Sequence, residues 1–458
     1  MSYRRRQLRQ KRSDNKKDRS CQMKGRTIME KFQDVLMVIA GKMAANKYLG
    51  AVRDAFITNM PLVITGAFAV LFTNVICSPT NGLAQFEAFA FLADFANLFA
   101  PVNYATMNIL ALIICFLIGA SLGTSNGFKG TFTGSLALAS YFVFVPTVLE
   151  VEGITVTNVL ARAQTDAQGL FLAIIVGLLS VTLYSKLMSI EALKVKMPDN
   201  VPPNVSEAFS ALFPAMITLF GLGAVSFFFV RLTGVYVSTA INTLIQAPLQ
   251  QIMEYPVGIL VIVFVSQLLW CLGMHGSNIT NAIRTPVLLA SVAANMEAVE
   301  QGLTELPYIV SSPFWPLYCT LGGSGATIGL IIAIFIASKR EDYKTIAKLS
   351  IPPGIFQINE PIIFGIPIVL NPMMMIPFIL GPLVSATIGY ISISIGFASR
   401  LYIEIPWTTP PLLNGFLASG GDIKTVITQL ICIVALTLIY LPFVIMANKD
   451  VAVVVGEE

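Results

Sequence analysis

The sequence predicts an all-α polytopic membrane protein of about ten transmembrane helices, and three observations carry that prediction. Of the 458 residues, 55% are apolar and only 12% charged. The mean hydropathy is +0.75. Stretches nearly free of charge and long enough to cross a bilayer recur from Ala55 onward. A soluble globular chain carries about 25% charged residues, whereas a spanning helix takes roughly 20 consecutive apolar ones. This composition belongs in lipid.

The net charge of +4 is a misleading average, because 15 of the 29 Lys and Arg fall within the first 53 residues. Runs such as Arg4, Arg5, Arg6, Arg9, Lys11 and Arg12 are read as the positive-inside signal that holds the N-terminus in the cytoplasm. No nucleic-acid partner is needed to explain them. Residues 1–28 are expected to form a basic, disordered extension, and they lack the apolar h-region of a signal peptide. Met29 then opens a sequence that looks like a natural start.

Strong spans are expected over Ala55–Ile76, Thr106–Leu122, Thr131–Leu149, Gly169–Ser185 and Phe209–Val230, which make a first half over 29–255. Between the last two, the prolines of MPDNVPPNVS forbid a continuous helix and mark a cytoplasmic loop. The second half, 256–449, opens with a span from Val257 to Met274. The stretch Ile279–Met296 is too broken for an ordinary span, and Gly273, Gly276 and Pro286 suit a re-entrant segment. Pro313–Ala337 is interrupted at Gly322–Gly325, a kink or hairpin tip. The charged run Lys339–Lys348 reads as a loop. The 39 uncharged residues between Glu360 and Arg400 hold a hairpin plus a span, or two spans, and Val426–Ala447 closes the chain before a cytoplasmic tail at 450–458.

Two titratable groups stand out in apolar surroundings, and an ionisable residue at membrane depth is costly unless a partner or polar cavity receives it. His275 lies in a window free of Asp, Glu, Lys and Arg from Tyr255 to Ile283, beside Ser277 and Asn278. A lone membrane histidine serves equally well as a helix–helix hydrogen-bond partner. Glu360 sits in PPGIFQINEPIIFGIP, where prolines and glycines make a regular helix implausible. Gln357 and Asn359 add amides of the kind that pair with sugar hydroxyls. Trp407, in IPWTTPP, offers a ring that stacks on a pyranose face. Trp270 and Trp315 are assigned instead to aromatic belts at the membrane interface.

Several chemistries find no support. The six cysteines are scattered without CxxC spacing, so neither a disulfide framework nor a metal site is indicated. A GxxxxGK[ST] phosphate loop, a kinase signature and a dinucleotide fingerprint are all missing from the sequence. Energy for transport then comes from an ion gradient or from another protein. The residues alone favour the first, a secondary sugar transporter that leaves its solute unmodified.

Four motifs change that balance. GMHGSN at His275, LGGSGATIGLIIAIFIASKREDYK, GIFQINEPI around Glu360 and IPWTTPP resemble the enzyme IIC membrane components of the sugar phosphotransferase system, in the lactose/cellobiose/diacetylchitobiose family. The resemblance runs from about Met29 to Lys449. It implies a homodimer with a scaffold half and a transport half carrying two re-entrant hairpins. It implies residence in the bacterial cytoplasmic membrane with both termini inside, and no cofactor. It further implies sugar contacts at His275, Asn278, Gly323, Ser324, Asn359, Glu360 and Trp407. A disaccharide would present its 6-hydroxyl to a phosphorylated enzyme IIB, itself supplied by IIA, with Glu360 as the base.

Overall fold

Proline, asparagine and glycine set several of the helix ends. The computed structural model describes residues 45–448 apart from 80, 81, 152, 199, 200, 367 and 370. The basic extension and the C-terminal tail lie outside the described residues. The first half contains α1 (Lys47–Leu71), α2 (Ala96–Thr106), α3 (Leu110–Ser125), α4 (Gly130–Val143), α5 (Leu170–Met188) and α6 (Pro203–Thr233). The loop before α6 ends earlier than expected, inside MPDNVPPNVS, because Pro203 occupies the first helical position, where its missing N–H and fixed φ are harmless. One element was not foreseen in an all-α class. β1 (Val148–Val151) and β2 (Ile154–Thr157) pair antiparallel, Val148 opposite Thr157, around Gly153 at φ +79°.

The second half follows α7 (Ala247–Glu254), which meets α8 (Pro256–Cys271) at 86°. The bend falls at Tyr255, a residue that the following proline biases away from helix. Next comes α9 (Gly276–Glu300), and here the expectation of a broken segment is corrected: one helix of 25 residues runs through Pro286. Membrane helices tolerate such prolines where neighbours re-satisfy the freed carbonyl. The chain then turns through Trp315–Cys319 and Ser324–Ala326 into α10 (Ile328–Ala337), with a 55° bend.

The run expected as a loop is a helix as well. α11 (Glu341–Ile355) includes Pro352 and Pro353, and the carbonyls they leave unpaired belong to Lys348 and Leu349, both exposed. A short α12 (Glu360–Gly365) is followed by α13 (Pro372–Ser394), whose first turn is capped by the Asn371 side chain accepting from the amides of Met373 and Met374. α14 (Leu413–Ala418) and α15 (Ile423–Ala447) complete the described chain. Among the described residues, five helices are long and apolar enough to cross a membrane, or seven if each of two bent pairs is one span. That is fewer than the ten expected: in the first half α1 is not among these helices and α4 has only 14 residues, and the second half breaks part of its apolar length into bent pieces.

Lipid is as apolar as leucine, so helix association in a bilayer relies on close packing and hydrogen bonds rather than on hydrophobic burial. The glycines are placed accordingly. A Cβ at Gly119 would collide with Ala137, so α3 and α4 touch backbone to backbone. A Cβ at Gly329 would meet Leu436, bringing α10 against α15, and one at Gly389 would enter the Tyr318 ring. Ile114, Ile118 and Leu170 fill the core of the first half. Phe314, Leu317, Tyr318 and Leu436 fill that of the second. By contrast α6 buries only Ala211, Pro214, Thr218 and Leu222 of its 31 residues.

Candidate functional site

The Gly322–Ala326 turn is the keystone of the site. Gly322, Gly323 and Gly325 take φ values of +77°, +97° and +76°, a region glycine enters without a Cβ clash. Ala326 follows at +51°. Hydrogen bonds fix the turn from two sides: the Gly325 amide donates to Gln267 Oε1 at 2.9 Å, and its carbonyl accepts from the Tyr440 hydroxyl at 2.6 Å. A Cβ at Gly323 would overlap the Asn359 side chain. Asn359 uses that closeness, donating Nδ2 to the Ser324 carbonyl at 2.5 Å and to Thr327 Oγ1 at 2.8 Å.

Asn359 thus clamps one interruption of the backbone to another. The second break is the Phe356–Asn359 linker between α11 and α12, where Gln357 sits at φ +63°. Gln357 Nε2 donates to the Thr409 carbonyl at 2.9 Å and so ties the linker to the IPWTTPP segment. Glu360 is the first residue of α12 and is half-buried.

His275 occupies the N-cap of α9, and its Nδ1 accepts from the Asn278 amide at 3.3 Å. In a neutral imidazole that bond leaves Nε2 as the N–H donor. The ring packs on Trp270, with centroids 4.3 Å apart and planes at 47°. Two residues along, Ser277 Oγ lies 3.1 Å from Ser324 Oγ and joins α9 to the glycine turn.

These pieces enclose a cavity of about 430 Å³, within the roughly 300–1,000 Å³ of small-molecule sites. All seven sequence-predicted site residues, His275, Asn278, Gly323, Ser324, Asn359, Glu360 and Trp407, line it. Trp407 is 45% exposed, its ring free to cover a ligand. Phe56, Ile57 and Met60 of α1 supply an apolar wall opposite, so both halves of the chain contribute.

Several lining residues escaped the sequence reading, among them two tryptophans and an arginine. Trp270 and Trp315 are buried cavity walls, 4% and 6% exposed, which corrects their assignment to interfacial belts. Arg284 lies over the Trp315 ring at 3.7 Å, although its charge within an apolar stretch was signal enough to single it out. Chemically the cavity offers amides and hydroxyls that both give and accept hydrogen bonds, indole faces, an imidazole and isolated carboxylates. Neutral polyhydroxylated molecules match that inventory.

Interrupted helices around a cavity that carries polar groups, in a chain of long apolar helices, are the pattern of membrane carriers. The family follows from comparison: residues 53–382 match the model of the phosphotransferase system EIIC family, and the chain belongs to it. It is 34% identical to the lichenan permease IIC component of Bacillus subtilis (strain 168), over 92% of this chain and 93% of that one. To the cellobiose-specific EIIC component of Lactococcus lactis subsp. lactis (strain IL1403) it is 31% identical, over 92% and 97%. The crystal structure of the transporter ChbC, the IIC component of the N,N'-diacetylchitobiose-specific phosphotransferase system, superposes with a TM-score of 0.85 at 32% identity, covering 90% of this chain and 96% of that one. The ion-coupled alternative gains no support from these matches.

Proposed function

We propose that the protein is the sugar-translocating subunit for a disaccharide of the cellobiose, diacetylchitobiose or lactose type, and that it presents the sugar 6-hydroxyl to a phosphorylated enzyme IIB. The observation that carries this reading is the convergence of Glu360, His275 and Trp407 on one cavity between broken helices. The substrate names of the relatives support the sugar class.

The reaction needs little covalent chemistry from this chain. The 6-hydroxyl oxygen attacks the phosphorus of a phosphocysteine on IIB, an O–P bond forms, and the S–P bond breaks to release thiolate on IIB. The hydroxyl proton passes to the Glu360 carboxylate. Positioning and proton acceptance are the contributions asked of the membrane subunit. The His275 Nε2–H donates to the sugar or to developing charge, and Trp407 stacks on a ring.

Two copies form the working unit, each with a scaffold half over 29–255 and a transport half over 256–449, two re-entrant hairpins and both termini in the cytoplasm. IIA recharges IIB. The wide apolar face of α6, with Phe220, Phe227 and Leu232 exposed, is available to lipid or to the second copy. The test uses inside-out vesicles loaded with radiolabelled cellobiose, lactose or diacetylchitobiose, with and without phosphorylated IIB. Sugar phosphate that forms only with IIB is expected. A sugar that crosses unmodified, with no dependence on IIB, would leave an ordinary transporter.

A further inference from the structure

α9 joins the cavity to a cluster of charges at its other end. His275 caps its first turn, and the helix runs unbroken for 25 residues to Glu300, about 37 Å at a rise of about 1.5 Å per residue. There two carboxylates one turn apart, Glu297 and Glu300, sit at the negative end of the helix dipole, where both the dipole and their mutual repulsion disfavour them. The segment before α5 answers them. Arg162 Nη1 lies 2.6 Å from Glu300 Oε2, and Gln168 Nε2 donates to Glu297 Oε2 at 3.0 Å.

Arg162 and Gln168 are firmly mounted. Asp166 Oδ1 accepts from the Gln168 amide at 2.8 Å, Asp166 Oδ2 lies 3.9 Å from Arg162 Nε, and the Tyr141 hydroxyl donates to the Gln164 carbonyl. Beneath the charges, Ala167 and Leu170 share one apolar cluster with Leu289, Val292 and Ala293 of α9. The polar contacts therefore close a seam between the segment before α5 and the far end of α9.

A carrier cannot keep such a seam fixed. The cavity is walled by α1 on one side and by α9, the glycine turn and the Glu360 segment on the other, and a solute leaves on the second side of the membrane only when one such body moves against the other. The chemistry of the pair suits a contact that is made and broken. Arg162 is 35% exposed and Glu300 44%, so parting them leaves no charge stranded away from water. Arg162 also keeps a partner when α9 moves away, because Asp166 belongs to its own segment.

We infer that the Arg162–Glu300 and Gln168–Glu297 contacts form a latch between the segment before α5 and the end of α9, which holds the cavity in the conformation seen here and parts during transport. Because α9 is one continuous helix, the same rod carries the latch at one end and His275 at the other. Release of the latch therefore reaches the site directly.

The test measures the distance across the seam in the full chain, without sugar, in lipid nanodiscs, from spin labels on Leu160→Cys and Leu303→Cys, two exposed positions that flank the pair. The five described native cysteines are buried, and Cys21→Ser removes the sixth. A short distance and a longer one are expected, the short one dominant. Glu300→Gln and Arg162→Gln should each raise the long-to-short ratio about two- to fivefold, the effect of one partly exposed ion pair, and the double variant should raise it no further than either alone. Moving the labelled chain with its latch intact from about 0.05 M to about 1 M KCl should shift the ratio the same way, and this arm needs no latch variant to fold. A ratio that ignores both salt and substitution would overturn the latch. So would effects of the two substitutions that simply multiply, or a salt response that persists undiminished in both variants. With no sugar present, the outcome is independent of which solute the cavity takes.

Discussion

The α3–α4 contact and the Gly322–Ala326 turn are both buried and both built on glycine, but they use glycine for opposite purposes. In α3 and α4 the residues keep helical geometry, and Gly119 removes a side chain so that two straight helices can touch. Around Gly323 the glycines adopt left-handed φ, the helix stops, and backbone groups turn to Asn359, Gln267 and Tyr440. The first use builds rigidity. The second opens space and polarity at membrane depth, which is tolerable only where protein or solute satisfies the backbone.

Matched substitutions separate the two. Gly119→Leu should lower the melting temperature in detergent by several degrees, since overpacking costs about 1–3 kcal/mol or more, while the fraction that folds keeps its sugar affinity. Gly323→Ala should do the reverse: its methyl meets Asn359 in a backbone region that is strained for alanine, so sugar affinity falls at least tenfold with little loss of folded protein. Equal effects on stability and affinity from both would erase the distinction.

The smallest effect concerns a helix end that serves packing alone. Burial opposes ionisation of Asp422, but the amides of Ser399 and Lys424, together with Thr425, hold its carboxyl below the usual range. A carboxylate depressed in this way contributes stability that is present above its unfolded pKa and is lost as pH falls through the folded one. Asp422→Asn should therefore cost about 1 kcal/mol near neutrality, with a difference from wild type that shrinks as pH drops below about 4. Sugar affinity should not change. Melting curves at several pH values read both.

Much of this was legible in the sequence because membranes make polar residues expensive. His275, Glu360, Asn359 and Trp407 announced themselves by chemistry out of place, and the structure gathers them on one cavity. The same rule covers Arg284, a charge within an apolar stretch that lies on the cavity wall. Proline misled at Pro352 and Pro353. It forbids a hydrogen bond, not a helix, and a last turn with exposed carbonyls absorbs the loss. Trp270 and Trp315 could not be read, since an indole beside an apolar run suits an interface and a cavity wall equally. Nor could the β1–β2 hairpin be read, because four-residue strands lie below the length at which alternation separates from chance.

In the proposed function, proton acceptance falls to Glu360 at the broken segment. Single-turnover transfer from phosphorylated enzyme IIB to pre-bound cellobiose, in wild type and Glu360→Gln, tests it most directly. The amide keeps the hydrogen bonds of the ground state but cannot take the proton. Affinity within a few fold of wild type, with the transfer rate down by about 10²–10⁴, is the predicted result. Transfer at the wild-type rate in the variant would contradict it.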